Sequence, residues 1–65
     1  MRLKMKFKRM QRGLSQKQLA EKVGLHYQSI SDFERGKSNP SYENMKKISE
    51  ILETSVDELF FNDEI

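Results

Sequence analysis

The residues best suited to binding chemistry in this chain lie in the segment 27–35. Its polar residues recur at the spacing of one face of a helix, while Ile30 and Phe33 fall on the opposite face. The polar set is Tyr27, Gln28, Ser31, Asp32 and Arg35. These side chains supply hydrogen-bond donors and acceptors, so the pattern favours recognition of a polar partner over covalent chemistry.

Catalytic and metal-binding chemistry find little support in the same sequence. The chain has one histidine, His26, and no cysteine, so it offers neither a thiolate nucleophile nor a His/Cys metal cluster. It has no glycine-rich phosphate loop, and the acidic residues of its second half fit helix faces and caps. We therefore expect a protein that is not an enzyme, with no metal, no cofactor and no small-molecule ligand.

The charge of the chain is distributed unevenly, although the net charge of the 65 residues is only +2. Residues 1–37 hold ten Lys and Arg against three acidic residues, whereas residues 38–65 hold two against seven. Such asymmetry predicts one half that faces a polyanion and another that lies away from it. Solubilising charge that happens to be uneven is the alternative explanation.

Apolar spacing and capping signals predict five short helices and no strand. The predicted helices cover residues 2–12, 16–23 and 27–35, a fourth that begins after Ser41, and a short fifth that opens at Ser55 and includes Leu59 and Phe60. In the first helix Leu3, Phe7 and Met10 recur at i, i+4 and i+7, which predicts that they form its core-facing side. We expect a compact all-α domain over residues 1–61, with residues 62–65 as a frayed tail.

Gly24 interrupts a stretch that is otherwise helical, where a glycine costs roughly 1 kcal/mol relative to alanine. The second and third helices are so close in sequence that their connection needs a residue with positive φ, which glycine adopts cheaply. Ala20, one turn earlier, supplies the small side chain that a close helix crossing requires. Together the two residues predict a helix-turn-helix corner that projects the third helix away from the core.

The ordered string GLSQKQLAEKVGLHYQSISDFERGKSNPS, with SVDELF closer to the C-terminus, resembles the helix-turn-helix of Cro/C-repressor-type regulators, also called the XRE type. The resemblance extends over residues 4–60. It implies a lambda-repressor-like DNA-binding fold of five helices, in which the third helix lies in the major groove of double-stranded DNA.

The resemblance also implies which residues contact DNA. Contacts with bases are expected from Tyr27, Gln28, Ser31 and Asp32. Contacts with phosphates are expected from Gln16, Ser29, Lys37, Asn39, Lys6 and Arg12. Gln28 can form two hydrogen bonds with adenine N6 and N7, and Gln16 opens a helix whose N-terminus favours phosphate. Solvent exposure is the alternative for Tyr27 and Gln28, and for Gln16 the alternative is a residue that simply opens its helix.

Three residues of this region raise separate questions. An acid near DNA is repulsive unless it accepts from cytosine N4 or orients a neighbouring side chain, so Asp32 is expected to exclude wrong sequences as well as to bind right ones. His26 stands where the family more often has a serine or threonine cap; it either caps poorly or contacts phosphate when protonated. Arg9 matches a family arginine that pairs with the glutamate matched here by Glu34, and we favour this structural ion pair over a DNA contact.

A homodimer on a palindromic operator is the expected assembly, because one recognition helix reads too few base pairs for useful specificity. Phe60 and Phe61 are adjacent, so one helix cannot bury both against its own core. We expect Phe61, together with Ile65, to be exposed on the monomer and to cover a partner. A frayed tail with a stray aromatic residue is the alternative.

These features predict a sequence-specific DNA-binding transcriptional regulator, a stand-alone repressor that acts as a homodimer. The alternative is an antitoxin-like or antirepressor-like protein of the same fold that acts mainly through a protein partner. No apolar run is long enough for a signal peptide or a membrane span, so we expect a cytoplasmic protein without a membrane partner. The family resemblance implies a bacterial or phage origin.

Overall fold

A computed structural model describes residues 1–61, which fold into five helices without a strand in that range. The helices are α1 (Leu3–Gln11), α2 (Gln16–Val23), α3 (Tyr27–Arg35), α4 (Tyr42–Leu52) and α5 (Asp57–Phe61), the last with wider π-type winding. The predicted all-α, five-helix fold is confirmed, although α1 is one residue shorter at each end than the sequence suggests. The tail 62–65, and Ile65 with it, lies outside the described residues. No described helix is long and apolar enough to cross a membrane.

The hydrophobic core draws side chains from all five helices. It consists of Met5, Leu19, Ala20, Val23, Ile30, Phe33, Met45, Ile48, Leu52, Leu59 and Phe60. The most extensive packing is between α2 and α3, α2 also packs on α4, and α1 contacts α3 and α5. Most of the stabilisation of such short helices comes from this tertiary burial and not from helix propensity.

Serine caps fix where three of the helices begin. At α2 the Oγ atom of Ser15 accepts from the backbone N–H of Gln18 at 3.0 Å, and the Gln18 side chain accepts from the Ser15 N–H at 2.8 Å, which confirms the predicted capping box. Ser41 accepts from the Asn44 N–H at 3.2 Å at the start of α4. Ser55 accepts from the N–H of Glu58 at 3.1 Å and opens α5 in the same way.

The corner between α2 and α3 depends on the backbone conformation of Gly24. Its φ is +84°, in the left-handed region, and its N–H donates to the carbonyl oxygen of Ala20 at 2.8 Å. The N–H of Leu25 reaches the same oxygen at 2.9 Å, which closes the end of α2. A Cβ atom built on Gly24 would meet no other atom within 4 Å, so the requirement for glycine is conformational. The small buried residue at the crossing is Ala20, which is 2% exposed.

The expectation that Leu3, Phe7 and Met10 face the core is wrong. Their side chains are 45%, 53% and 55% exposed, and α1 instead buries Met5 and Arg9. Met5 and Arg9 are one turn apart and share a face, whereas the predicted stripe lies on the opposite side of the helix. Helical periodicity identifies an apolar face but does not say which face is turned inward, and here the inward face is the one that carries Arg9.

Substitutions at Gly24 should show whether backbone strain or steric crowding is the reason that this position requires glycine. We expect Gly24→Ala to lower the free energy of unfolding by about 1 kcal/mol, because an L-residue with a Cβ is strained in the left-handed region. Gly24→Asn should cost less, because asparagine tolerates this conformation better than alanine. Urea denaturation followed by circular dichroism measures both. If the larger asparagine proved more costly than alanine, crowding at the corner would be the true constraint.

Candidate nucleic-acid interface

The outward face of α3 is polar, as its sequence pattern predicts. Tyr27 and Gln28 are exposed, Asp32 is half-buried, and Ile30 and Phe33 are buried against the core. The left-handed Gly24 ends α2 just before this helix, and a second left-handed glycine, Gly36 at φ +80°, ends α3 itself.

The orientation of α3 is set by a buried carboxylate in its last turn. The Glu34 side chain is 3% exposed and lies 2.6 Å from Nε of Arg9 on α1, whose side chain is 10% exposed. A second guanidinium nitrogen of Arg9 donates to the other carboxylate oxygen at 3.3 Å, and the third donates to the carbonyl of Leu14 at 2.7 Å. Every donor nitrogen of the guanidinium is therefore engaged inside the protein. This places Arg9 in an intramolecular pair and not at a DNA surface.

Gln16, a predicted phosphate contact, is attached to the same carboxylate. Its Nε2 atom donates to Oε1 of Glu34 at 3.1 Å, so the first residue of α2 is held against the end of α3. An ionised carboxylate only accepts hydrogen bonds, and one amide N–H of Gln16 is consequently committed to Glu34. The second N–H and the carbonyl oxygen of this amide are the groups left for another partner.

Gln28 and Asp32 lie one turn apart on α3 and are hydrogen-bonded. Nε2 of Gln28 donates to Oδ1 of Asp32 at 3.1 Å. Two roles would make an acid acceptable near DNA: accepting from cytosine N4, or orienting a neighbouring side chain. The geometry of the free protein corresponds to the second role.

His26 and Tyr27 lie at the N-terminal end of α3. Nδ1 of His26 accepts from the backbone N–H of Gln28 at 3.3 Å, so the histidine does cap α3, by a long hydrogen bond. The rings of His26 and Tyr27 are stacked, with centroids 5.3 Å apart and planes inclined by 27°. Tyr27 is 47% exposed, so it remains accessible although its ring is stacked.

Arg2 organises the loop that follows α3, a role that no sequence pattern indicated. Its guanidinium donates to the carbonyl oxygens of Phe33 at 2.6 Å and Ser38 at 3.1 Å, and to Oδ1 of Asn39. The same guanidinium lies 5.4 Å from the centroid of the Phe60 ring. Nothing in the basic run MRLKMKFKR distinguishes Arg2 from its neighbours, because the contact depends on chain that is more than thirty residues away.

The contact with Arg2 also determines how Asn39 is presented. A guanidinium can only donate, so the Asn39 carbonyl oxygen faces Arg2 and the amide N–H₂ group is turned to the other side. Asn39 itself is exposed. A donor in this position is the chemistry that a phosphate oxygen requires.

The other predicted phosphate contacts occupy different environments. Lys37 is exposed in the loop after α3, while Ser29 and Lys6 are half-buried. Arg12 is exposed but pairs with Glu53 at 2.8 Å, so a phosphate contact by Arg12 would have to replace that ion pair. Among residues 1–61 no group of three or more His, Cys, Asp or Glu side chains is placed to bind a metal ion.

Comparison with known proteins identifies the family to which this arrangement belongs. A family model described as helix-turn-helix matches residues 5–59, which cover all five helices except the first two residues of α1 and the last two of α5. The chain belongs to the XRE-type helix-turn-helix family. Members of this family are transcriptional regulators that bind double-stranded DNA, and this XRE-type chain is a DNA-binding regulator of that class.

Curated relatives agree with the family assignment. An uncharacterized HTH-type transcriptional regulator of Archaeoglobus fulgidus is 37% identical over 65 residues, which span 98% of this chain and 93% of the relative. The cryptic phage CTXphi transcriptional repressor RstR of Vibrio cholerae is 40% identical over 69% of this chain and 40% of its own length. The HTH-type transcriptional activator BcrR of Enterococcus faecalis is 37% identical over 83% of this chain but only 26% of its own length. No solved structure matches the chain.

Removing Arg9 should destabilise the fold far more than removing an exposed arginine. We expect Arg9→Met to lower the free energy of unfolding by about 3 kcal/mol or more, because the Glu34 carboxylate stays buried without its charged partner. The matched control is Arg12→Met, which removes only the exposed pair with Glu53 and should cost less than about 1 kcal/mol. Urea denaturation measures both variants, and equal losses would contradict a structural role for the buried pair.

Proposed function

We propose that this chain is a sequence-specific repressor that binds a palindromic operator as a homodimer, with α3 in the major groove. The observation that carries the proposal is the exposed polar face of α3, held outward by a glycine corner on one side and by the buried Arg9–Glu34 pair on the other. In helix-turn-helix proteins the N-terminal residues of the recognition helix contact base edges, and here those residues are Tyr27 and Gln28. Such a repressor acts by occupying the promoter and blocking access to it.

The proposed base contacts come from the first two turns of α3. Gln28 presents an amide that can bond two edge atoms of one base, and Tyr27 can contact a thymine methyl group or a phosphate. Ser31 follows one turn later on the same side, and Asp32 acts there through Gln28, to which it is hydrogen-bonded. This set is small enough that each residue should influence one or two base pairs of a half-site.

Two of the proposed phosphate contacts flank α3 and are connected to it by hydrogen bonds. Gln16 is attached through Glu34, and Asn39 is attached through Arg2, which also bonds the Phe33 carbonyl of α3. Lys37 lies between them in sequence at the exposed end of the helix. Phosphate contacts of this kind fix the position of the recognition helix on the duplex. Ser29, Lys6 and Arg12 complete the set, with Arg12 exchanging its partner Glu53.

The dimer is proposed to form through the C-terminal end of the chain. Phe61 is 61% exposed while its neighbour Phe60 is 9% exposed, so α5 leaves one large aromatic side chain mostly exposed. Ile65 follows in the tail. Dimers of helix-turn-helix proteins bind half-sites about 34 Å apart, and this is the spacing that a symmetric pair of such surfaces would have to produce.

A second function, holding a protein partner as an antitoxin or antirepressor does, is favoured by one observation. The exposed apolar stripe of Leu3, Phe7 and Met10 lies on a helix that also carries Lys6 and Lys8 and has no acidic residue. The partner that suits this surface is an acidic amphipathic helix of another protein. The acidic residues of such a helix would complement the lysines, and its apolar side would cover the stripe.

Salt dependence should identify the phosphate contacts and decide between these functions. On a duplex selected from a random pool, we expect Lys37→Ala to flatten the slope of log affinity against log salt by about 1, which is one lost phosphate contact. Lys47→Ala, an exposed lysine on α4, is the matched control and should leave the slope unchanged. If the wild type binds no selected duplex better than random DNA at low salt, the protein-partner function replaces the first.

Sedimentation equilibrium of the wild type and Phe61→Ala should test the assembly. We expect the wild type to dimerise and the variant to do so more weakly by tenfold or more, since a large buried apolar side chain is worth about 1.5–3 kcal/mol. Tyr42→Ala, which removes an exposed aromatic ring from α4, is the control and should dimerise like the wild type. A wild type that stays monomeric on and off DNA would overturn the dimer.

A further inference from the structure

We propose that Asp32 makes Gln28 select adenine over guanine by fixing the orientation of the Gln28 amide. The inference rests on the proposed function, because it assigns a base preference to one residue of the proposed DNA surface. It assigns Asp32 the role of a specificity residue that acts through its neighbour and not by touching a base itself.

The orientation of the amide follows from the chemistry of the two groups. Asp32 is a carboxylate and only accepts, so the side of the Gln28 amide that faces it at 3.1 Å must be the N–H₂ group. The two residues are four apart on one helix, a spacing at which side chains are direct neighbours. Turning the amide over would bring its carbonyl oxygen against the carboxylate, and that arrangement is repulsive.

A fixed amide offers a defined pair of groups to the groove. One N–H of Gln28 is committed to Asp32, which leaves one N–H and the carbonyl oxygen for a base. Adenine presents one acceptor, N7, and one donor, N6–H₂, in the major groove, and this pair matches the remaining groups. Guanine presents two acceptors, N7 and O6, so the Gln28 carbonyl oxygen would face an acceptor without a proton between them.

The same carboxylate also has a cost for DNA binding. Its negative charge lies near the phosphates of any bound DNA and lowers affinity for all sequences alike. Its benefit is confined to one base position, where it removes the freedom of Gln28 to rotate and donate two N–H groups to guanine. The charge of Asp32 therefore affects binding to all sequences, whereas its hydrogen bond to Gln28 affects the preference at one base position.

The test compares Asp32→Ala with Asp32→Asn on the operator selected by the wild type. Both variants lose the charge, so the repulsion from the phosphates, which weakens binding to every duplex, should fall by the same amount in both. They differ in the hydrogen bond to Gln28. The Asp32→Asn side chain retains a carbonyl oxygen that can accept the same Gln28 N–H, but its N–H₂ group can also donate to the Gln28 carbonyl oxygen, so it fixes the amide only in part, whereas the Asp32→Ala side chain has neither group. The readout is the ratio of affinities for duplexes that carry A·T or G·C at the position whose preference disappears in Gln28→Ala.

We expect the wild type to prefer adenine at that position by roughly tenfold or more, the discrimination of a good two-bond contact. Asp32→Asn should keep only part of this ratio, because its side chain can bond either orientation of the Gln28 amide, and Asp32→Ala should lose most of it. In a Gln28→Ala background, Asp32→Ala should have no further effect on the ratio, because the two residues act as one unit.

Three results would overturn the inference. These are an adenine preference that survives Asp32→Ala, a wild-type preference for guanine at the Gln28 position, and an Asp32→Ala effect that persists in the Gln28→Ala background. The last would mean that Asp32 reads a base directly. Failure of the proposed function looks different, because the wild type would then select no sequence at all from the random pool.

Discussion

The Glu34 carboxylate is the point at which the fold and the DNA-binding surface are joined. It belongs to α3, is almost completely buried, and is bonded by Arg9 from α1 and Gln16 from α2. Burying a charge is costly unless it is paired and fully hydrogen-bonded, and no buried side-chain nitrogen or oxygen among the described residues lacks a partner. Glu34 thus holds three helices in one arrangement, because most other arrangements would leave its buried charge unpaired.

Three side-chain amides at the surface of this domain are oriented by charged neighbours. Glu34 takes an N–H of Gln16, Asp32 takes an N–H of Gln28, and Arg2 takes the carbonyl oxygen of Asn39. An amide can present either end to a ligand, so a neighbour that only donates or only accepts removes that ambiguity. In a domain of this size, which has little room for a second layer of supporting residues, such pairs preorganise recognition with few residues.

Much of this arrangement could be predicted from the sequence, and the limits are physical. The start of α2 was predictable because serine and glutamine three residues apart form a local capping box, and the corner was predictable because glycine alone adopts positive φ without strain. The inward face of α1 was not, because both of its sides carry apolar residues and only the distant Glu34 decides which one turns inward.

Long-range contacts explain the remaining gaps. Arg2 reaches the loop after α3 across more than thirty residues, and no local pattern marks it. For Asp32 the sequence left two chemical roles open, and a side-chain hydrogen bond within α3 favours one of them. Local patterns thus identified the capping box and the corner, whereas the Arg9–Glu34 pair, whose partners are 25 residues apart, could be predicted only through the family resemblance.

The most direct test of DNA recognition through α3 is to map the contact surface by nuclear magnetic resonance, titrating the isotope-labelled chain with a selected duplex. We predict that the largest chemical-shift changes fall on the start of α2, the outer face of α3 and the loop at 37–39, with α4 little affected. Changes concentrated on α4 or on the exposed stripe of α1, with Tyr27 and Gln28 unaltered, would contradict it.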